Sequence, residues 1–200
     1  MDMVIGIPGL EINKISTALV VIDLQVGILS MPTFPYNANT VTENAVRLAE
    51  AFRKNSMPVF LVHVKASEAE MLKPVADERM SFTGERPNNW ADFVAALGPK
   101  ENDIVITKKQ WGAFYGTELD MQLRRRGIST IVLCGIATNY GVESTARFTY
   151  EYGYQQIFAE DATAARSEEE HMNTITHVFK RIGRVRKTDE ILKGLDEVVV

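Results

Sequence analysis

Six short apolar runs punctuate the chain, and most of them do not alternate with polar residues. Thr17–Asp23 (TALVVID), Val59–Val64 (VFLVHV) and Thr130–Gly135 (TIVLCG) have the pattern of strands covered on both faces, as in a parallel sheet. Asp103–Thr107, Gln155–Glu160 and Gly183–Arg186 complete the set. Between the runs lie segments with helical punctuation. Thr40–Asn55 has Thr40 and Glu43 at capping-box spacing, and Glu118–Arg126 is closed by Gly127 at the C′ position. Gly141–Tyr152 stops at Gly153, and Ser167–Lys180 opens with Ser167 and Glu170, again at capping-box spacing. This alternation predicts right-handed crossovers and an α/β fold: a doubly wound, mostly parallel six-stranded sheet, helices on both faces, with the first strand central. In such a sheet ligands bind outside the carboxyl ends of the central strands. Ser67–Gly98, with Pro74, Gly84, Pro87 and an Asn88-Asn89-Trp90 turn, is the least regular segment and is expected to be a long loop with a short helix lining a pocket.

Composition narrows the classes. With 200 residues, 46% of them hydrophobic and 24% charged, residues 1–200 are expected to form a single globular domain. A net charge of -4 does not suit a nucleic-acid partner, which requires a basic footprint. The cluster Arg124, Arg125, Arg126 falls at a helix end, where it completes a solvated C-terminal turn. One cysteine, Cys134, excludes an internal disulfide. Together with the absence of a signal-peptide pattern, it predicts a cytoplasmic protein, and no apolar run reaches the ~20 residues that cross a bilayer.

Three strand ends carry candidate chemistry. Asp23 follows an apolar run, where a carboxylate needs a cationic partner or a raised pKa; it suits either catalysis or a loop anchor. Lys108 and Lys109 follow the Val-Ile-Thr strand, and alternation lets only one of them face a pocket. Behind them runs Gln110-Trp111-Gly112-Ala113-Phe114, suited to shaping an apolar ligand site. The third end, Gly135-Ile136-Ala137-Thr138-Asn139-Tyr140-Gly141, opens into a helix whose first amides suit an anion or oxyanion. Cys134 lies inside an apolar strand, so it is expected to be an inert core thiol. His63, His171 and His177 lack the spacing of a metal site, and neither metal nor cofactor is expected.

Together the three ends resemble the isochorismatase-like hydrolases, also called the cysteine hydrolase superfamily, over about Thr17 to Leu195. The resemblance implies a Rossmann-type three-layer domain that acts on a small molecule and assembles as a dimer or tetramer. The family's aspartate falls on Asp23 of VVIDLQ, and the spacing of its lysine to the Phe114 of GAF selects Lys108 over Lys109. GIATNYGVESTA matches the third motif except that Gly141 stands where most members carry the nucleophilic cysteine. Such a chain is expected to hydrolyse without a thioester, with Asp23 as general acid beside Lys108, on a vinyl ether in the isochorismatase manner. Ala137, Thr138, Tyr140, Trp111, Phe114 and Trp90 are the expected substrate-binding residues, and the family's cis peptide falls at Ile136–Ala137. The rival expectations are a module that binds small molecules or assembles without catalysis, and an amidase using water activated by Asp23.

Overall fold

The computed structural model describes residues 10–67, 69–70, 72, 74–78 and 87–196. Gly84 of the irregular segment lies outside them. Among the described residues six strands, β1 (Thr17–Ile22), β2 (Val59–Val64), β3 (Ile104–Lys108), β4 (Thr130–Ile136), β5 (Gln155–Ala164) and β6 (Arg184–Arg186), form one sheet in the order β3-β2-β1-β4-β5-β6. All its strand pairings are parallel. Strand order reverses between β1 and β4, so the crevice of a doubly wound sheet opens at their carboxyl ends.

The missing alternation in β1 has a direct cause. Leu19 and Val21 pack into one core and Ala18, Val20 and Ile22 into another, on opposite faces of the sheet. Among the described residues there are seven α-helices: α1 (Val26–Leu29), α2 (Ala38–Lys54), α3 (Leu119–Arg124), α4 (Glu143–Glu151), α5 (Glu168–Asn173), α6 (Lys180–Ile182) and α7 (Thr188–Asp196). The first core takes Leu48 and Phe52 from α2 with Ile191 and Leu195 from α7. The second takes Leu119 and Leu123 from α3, Ala146 from α4, and Ile175 and Phe179 from a π-helical stretch over Thr174–Phe179. Each fully buried leucine or phenylalanine here contributes about 1.5–3 kcal/mol.

Several boundaries differ from expectation. The long helix starts earlier, because Asn37 caps it by accepting the Thr40 N–H at 2.9 Å; Thr40 is therefore inside the helix and no Thr40–Glu43 box forms. The Ser167–Glu170 box does form, but only α5 follows it before the chain widens into the π stretch and closes with α6. A second π-helical turn, Thr138–Val142, precedes α4. Between Ser67 and Gly98 the described residues form turns rather than a helix. α7 was not expected, and its Gly194 is required by packing: a Cβ there would lie 2.5 Å from the Leu10 carbonyl oxygen. β5 runs on to Ala164 because its acidic residues find partners, Glu160 with Tyr36 and Asp161 with the Thr188 N–H and hydroxyl.

Gly135 marks the tightest approach of β1 and β4. Its φ is +119°, and an added Cβ would fall 2.0 Å from the Ile22 carbonyl oxygen, so space and backbone both demand glycine. Gly135→Ala is expected to destabilise the protein by about 2–5 kcal/mol, read as a lowered urea midpoint. An unchanged midpoint would refute this packing argument. No helix among the described residues is long and apolar enough to cross a membrane.

Candidate active site

Asp23 is the first residue beyond β1. Its N–H donates to the Val62 carbonyl at 2.9 Å, and its φ of +52° puts it in the left-handed region, which aspartate tolerates better than most side chains. Gln25 fastens this exit to β2. Its side-chain oxygen accepts the Val64 N–H at 2.8 Å while its amide nitrogen donates to the Val64 carbonyl at 3.1 Å.

Lys108 ends β3, with β2 lying between it and β1. Two strand spacings, about 9–10 Å, must be bridged, which suits a long cationic stem. Lys108 Nζ lies 2.7 Å from Asp23 Oδ2 and donates to the Gln110 carbonyl at 3.1 Å. Both side chains are buried, Lys108 at 2% and Asp23 at 8% exposure. Burial pushes the Asp23 carboxyl above the ordinary range, and the charge and hydrogen bond of Lys108 only partly pull it back. Asp23 Oδ1 is buried without a hydrogen-bond partner among the described residues, a cost that falls on the ionised form most. Lys109 also lines the cavity, but it is exposed and its ammonium pairs with Glu70 at 2.5 Å. Both lysines thus reach the cavity wall, and only Lys108 is buried there.

The third element is the π turn after β4. Its residue Gly141 sits so close to the pair that a Cβ would lie 3.0 Å from Ile22 Cγ2 and 3.1 Å from Asp23 Oδ2. The Ile136–Ala137 peptide is cis. Asp23, Lys108 and Gly141 line a cavity of about 380 Å³, together with Ala137, Tyr140, Trp111 and Trp90. Trp111 meets Tyr140 edge to face at 4.9 Å. The Trp90 ring occupies the space a side chain at position 27 would need: a Cβ on Gly27 would lie 2.0 Å from it.

Two expected pocket residues lie elsewhere. Phe114 is in the second core against Tyr152 and Tyr154. Thr138 is fully buried, its hydroxyl 2.9 Å from His171 Nδ1. Cys134 is also fully buried in the first core, and burial drives its thiol pKa up. Among the described residues no three His, Cys, Asp or Glu side chains gather as a metal site would.

Sequence reasoning missed Arg166, Ile28 and Met31, all of which line the cavity. Arg166 is exposed, and its only hydrogen bond among the described residues is to Met31 Sδ at 2.9 Å, with no carboxylate partner. Its signal was its place two residues past the end of β5, hidden because the polar pair Glu160-Asp161 breaks the apolar run.

The isochorismatase domain model matches residues 17–190. The uncharacterized isochorismatase family protein YecD of Escherichia coli O157:H7 is 54% identical over 188 residues, 93% of this chain and 100% of that protein. An isochorismatase family protein from Burkholderia thailandensis has a similar structure, with TM-score 0.88 at 41% identity over 93% of this chain and 98% of the other. N-carbamoylsarcosine amidase from Thermoplasma acidophilum aligns with TM-score 0.67 at 29% identity over 87% of this chain and 97% of the other. A domain match reaching from β1 into α7, and a relative alike along almost the whole of both sequences, agree with the strand ends: the chain belongs to the isochorismatase family of hydrolases.

Proposed function

We propose that this hydrolase works without a covalent enzyme intermediate, with Asp23 as general acid and Gly141 at the position of the family's nucleophilic cysteine. The carrying observation is the buried Asp23–Lys108 pair on the cavity wall, with Gly141 pressed against it and offering no side chain to attack a substrate. On a vinyl ether, Asp23 protonates the terminal carbon of the double bond. Water adds to the resulting oxocarbenium carbon and returns a proton to Asp23, and the hemiketal then breaks its C–O bond to release an alcohol and a ketone. One water is consumed. Burial supports this role because it keeps the carboxyl protonated to higher pH, as an acid needs.

Charge supports an anionic substrate. Lys109 is paired with Glu70, Lys108 is left without a counter-charge whenever Asp23 is protonated, and Arg166 adds an unmatched positive charge among the described wall residues. Arg166→Gln is expected to raise KM for an anionic substrate about 10-fold at unchanged kcat, the worth of one charge-assisted hydrogen bond at an exposed position. An unchanged KM would remove Arg166 from recognition.

The test of the reaction is a panel of isochorismate, nicotinamide and N-carbamoyl amines, with intact-protein mass spectrometry during turnover. Vinyl-ether hydrolysis without an adduct supports the reading. Amide or carbamoyl turnover replaces it with amide chemistry, and tight binding with no product replaces it with a binding module.

A further inference from the structure

We infer that Glu160, His171 and Thr138 form a positioning network that seats the Gly141 turn against the Asp23–Lys108 pair, with His171 acting on the reaction through Thr138. Its bearing on the reaction rests on the catalytic reading of that pair. The network begins where the turn lacks a cap. Ala137 holds the N-cap position of Thr138–Val142 and has no side-chain oxygen to offer, and no side-chain capping bond is made there. The next residue supplies a tether instead, through Thr138 Oγ1 and His171 Nδ1 at 2.9 Å, both residues being fully buried.

The far side of the imidazole fixes its tautomer. His171 Nε2 lies 3.4 Å from Glu160 Oε1. Burial pushes Glu160 up, but hydrogen bonds from His171, Lys187 and Tyr36 together hold it at about 2, so it is a carboxylate. A carboxylate only accepts, which places the hydrogen on Nε2; in the neutral ring Nδ1 is then the acceptor and the Thr138 hydroxyl donates to it. Tyr36 closes the network by donating to Glu160 at 3.0 Å and meeting the His171 ring edge-on at 6.0 Å.

Carboxylate, imidazole and hydroxyl in this order have the connectivity of a nucleophile triad. Thr138, however, is fully buried and is not part of the cavity wall, so its hydroxyl is placed to hold the turn and not to attack. Such a tether matters because small misplacements of a reacting geometry cost up to about 100-fold in rate.

The experiment compares Thr138→Val, His171→Asn and His171→Gln. Asparagine keeps a polar group near the Nδ1 position facing Thr138, whereas glutamine keeps one near Nε2 facing Glu160. Thr138→Val and His171→Gln are expected to lower kcat about 10- to 100-fold with KM unchanged. His171→Asn is expected to retain most of kcat, and the Thr138→Val/His171→Gln double variant to be no slower than either single one. A second readout needs no turnover: in the folded protein Thr138→Val should move the His171 Nδ1 chemical shift and leave Nε2 in place. Wild-type kcat in Thr138→Val, equal losses in the two His171 variants, an unmoved Nδ1 shift, or a covalent adduct on Thr138 would each overturn the network. If Asp23→Asn left turnover intact while Thr138→Val slowed it, the acid role would fall and the network would stand.

Discussion

Asp23→Asn will stop turnover, with kcat falling by about 100- to 10,000-fold while the sheet stays folded. The substitution is nearly isosteric and removes only the proton that the proposed step consumes. Burial favours the protonated carboxyl, and the unpartnered Oδ1 adds to that preference. An acid works while protonated, so wild-type activity should decline as pH climbs through the raised pKa of Asp23. The variant should lose that limb along with the rate. Steady-state kinetics beside far-UV circular dichroism makes the check. A folded Asp23→Asn protein with wild-type kcat would sink the acid role.

Lys108→Met should have the largest effect on stability. Methionine nearly matches the volume of the stem but leaves a carboxyl buried without its counter-ion, which costs about 3–5 kcal/mol for a pair this deeply enclosed. The sign with pH follows from linkage. Removing the cation raises the Asp23 pKa further, and a group whose folded pKa is raised stabilises the fold while protonated and loses that contribution as pH rises through the folded value. The deficit of Lys108→Met should therefore shrink on acidification and be fullest above the raised pKa. The declining limb of any residual activity should move to higher pH in the same variant. Urea unfolding at several pH values decides it, and a pH-independent deficit would show that lost packing is responsible rather than an orphaned charge.

The sheet was legible because β1, β4 and the first four residues of β2 are buried on both faces, so these runs are almost wholly apolar. β5 was not legible to its end, since Glu160 and Asp161 find their side-chain partners at residues distant in sequence, Tyr36, His171, Lys187 and Thr188. That error also concealed Arg166. α7 escaped notice because a mid-helix glycine weakens the helical signal, while its reason, the passing Leu10 carbonyl, is a tertiary contact. At the site, Asp23, Lys108 and Gly141 could be named because each closes or follows a strand in a recognisable motif. Thr138 and Phe114 belong to the same motifs, yet their side chains point into the interior. A motif fixes the path of the backbone, and side-chain direction depends on which face each residue meets.

The crowding at Gly141 bears on how such a site changes over generations. Cysteine codons lie a single base from glycine codons, so exchange between a bare turn and a thiol is an easy genetic step in either direction. The obstacle is spatial. Ile22 and Asp23 stand where a new Cβ would come within 3.0 and 3.1 Å, and both would have to yield by a few tenths of an ångström before a thiol could be seated. A substitution that relaxes Ile22 is therefore expected to ease the seating of a side chain at position 141.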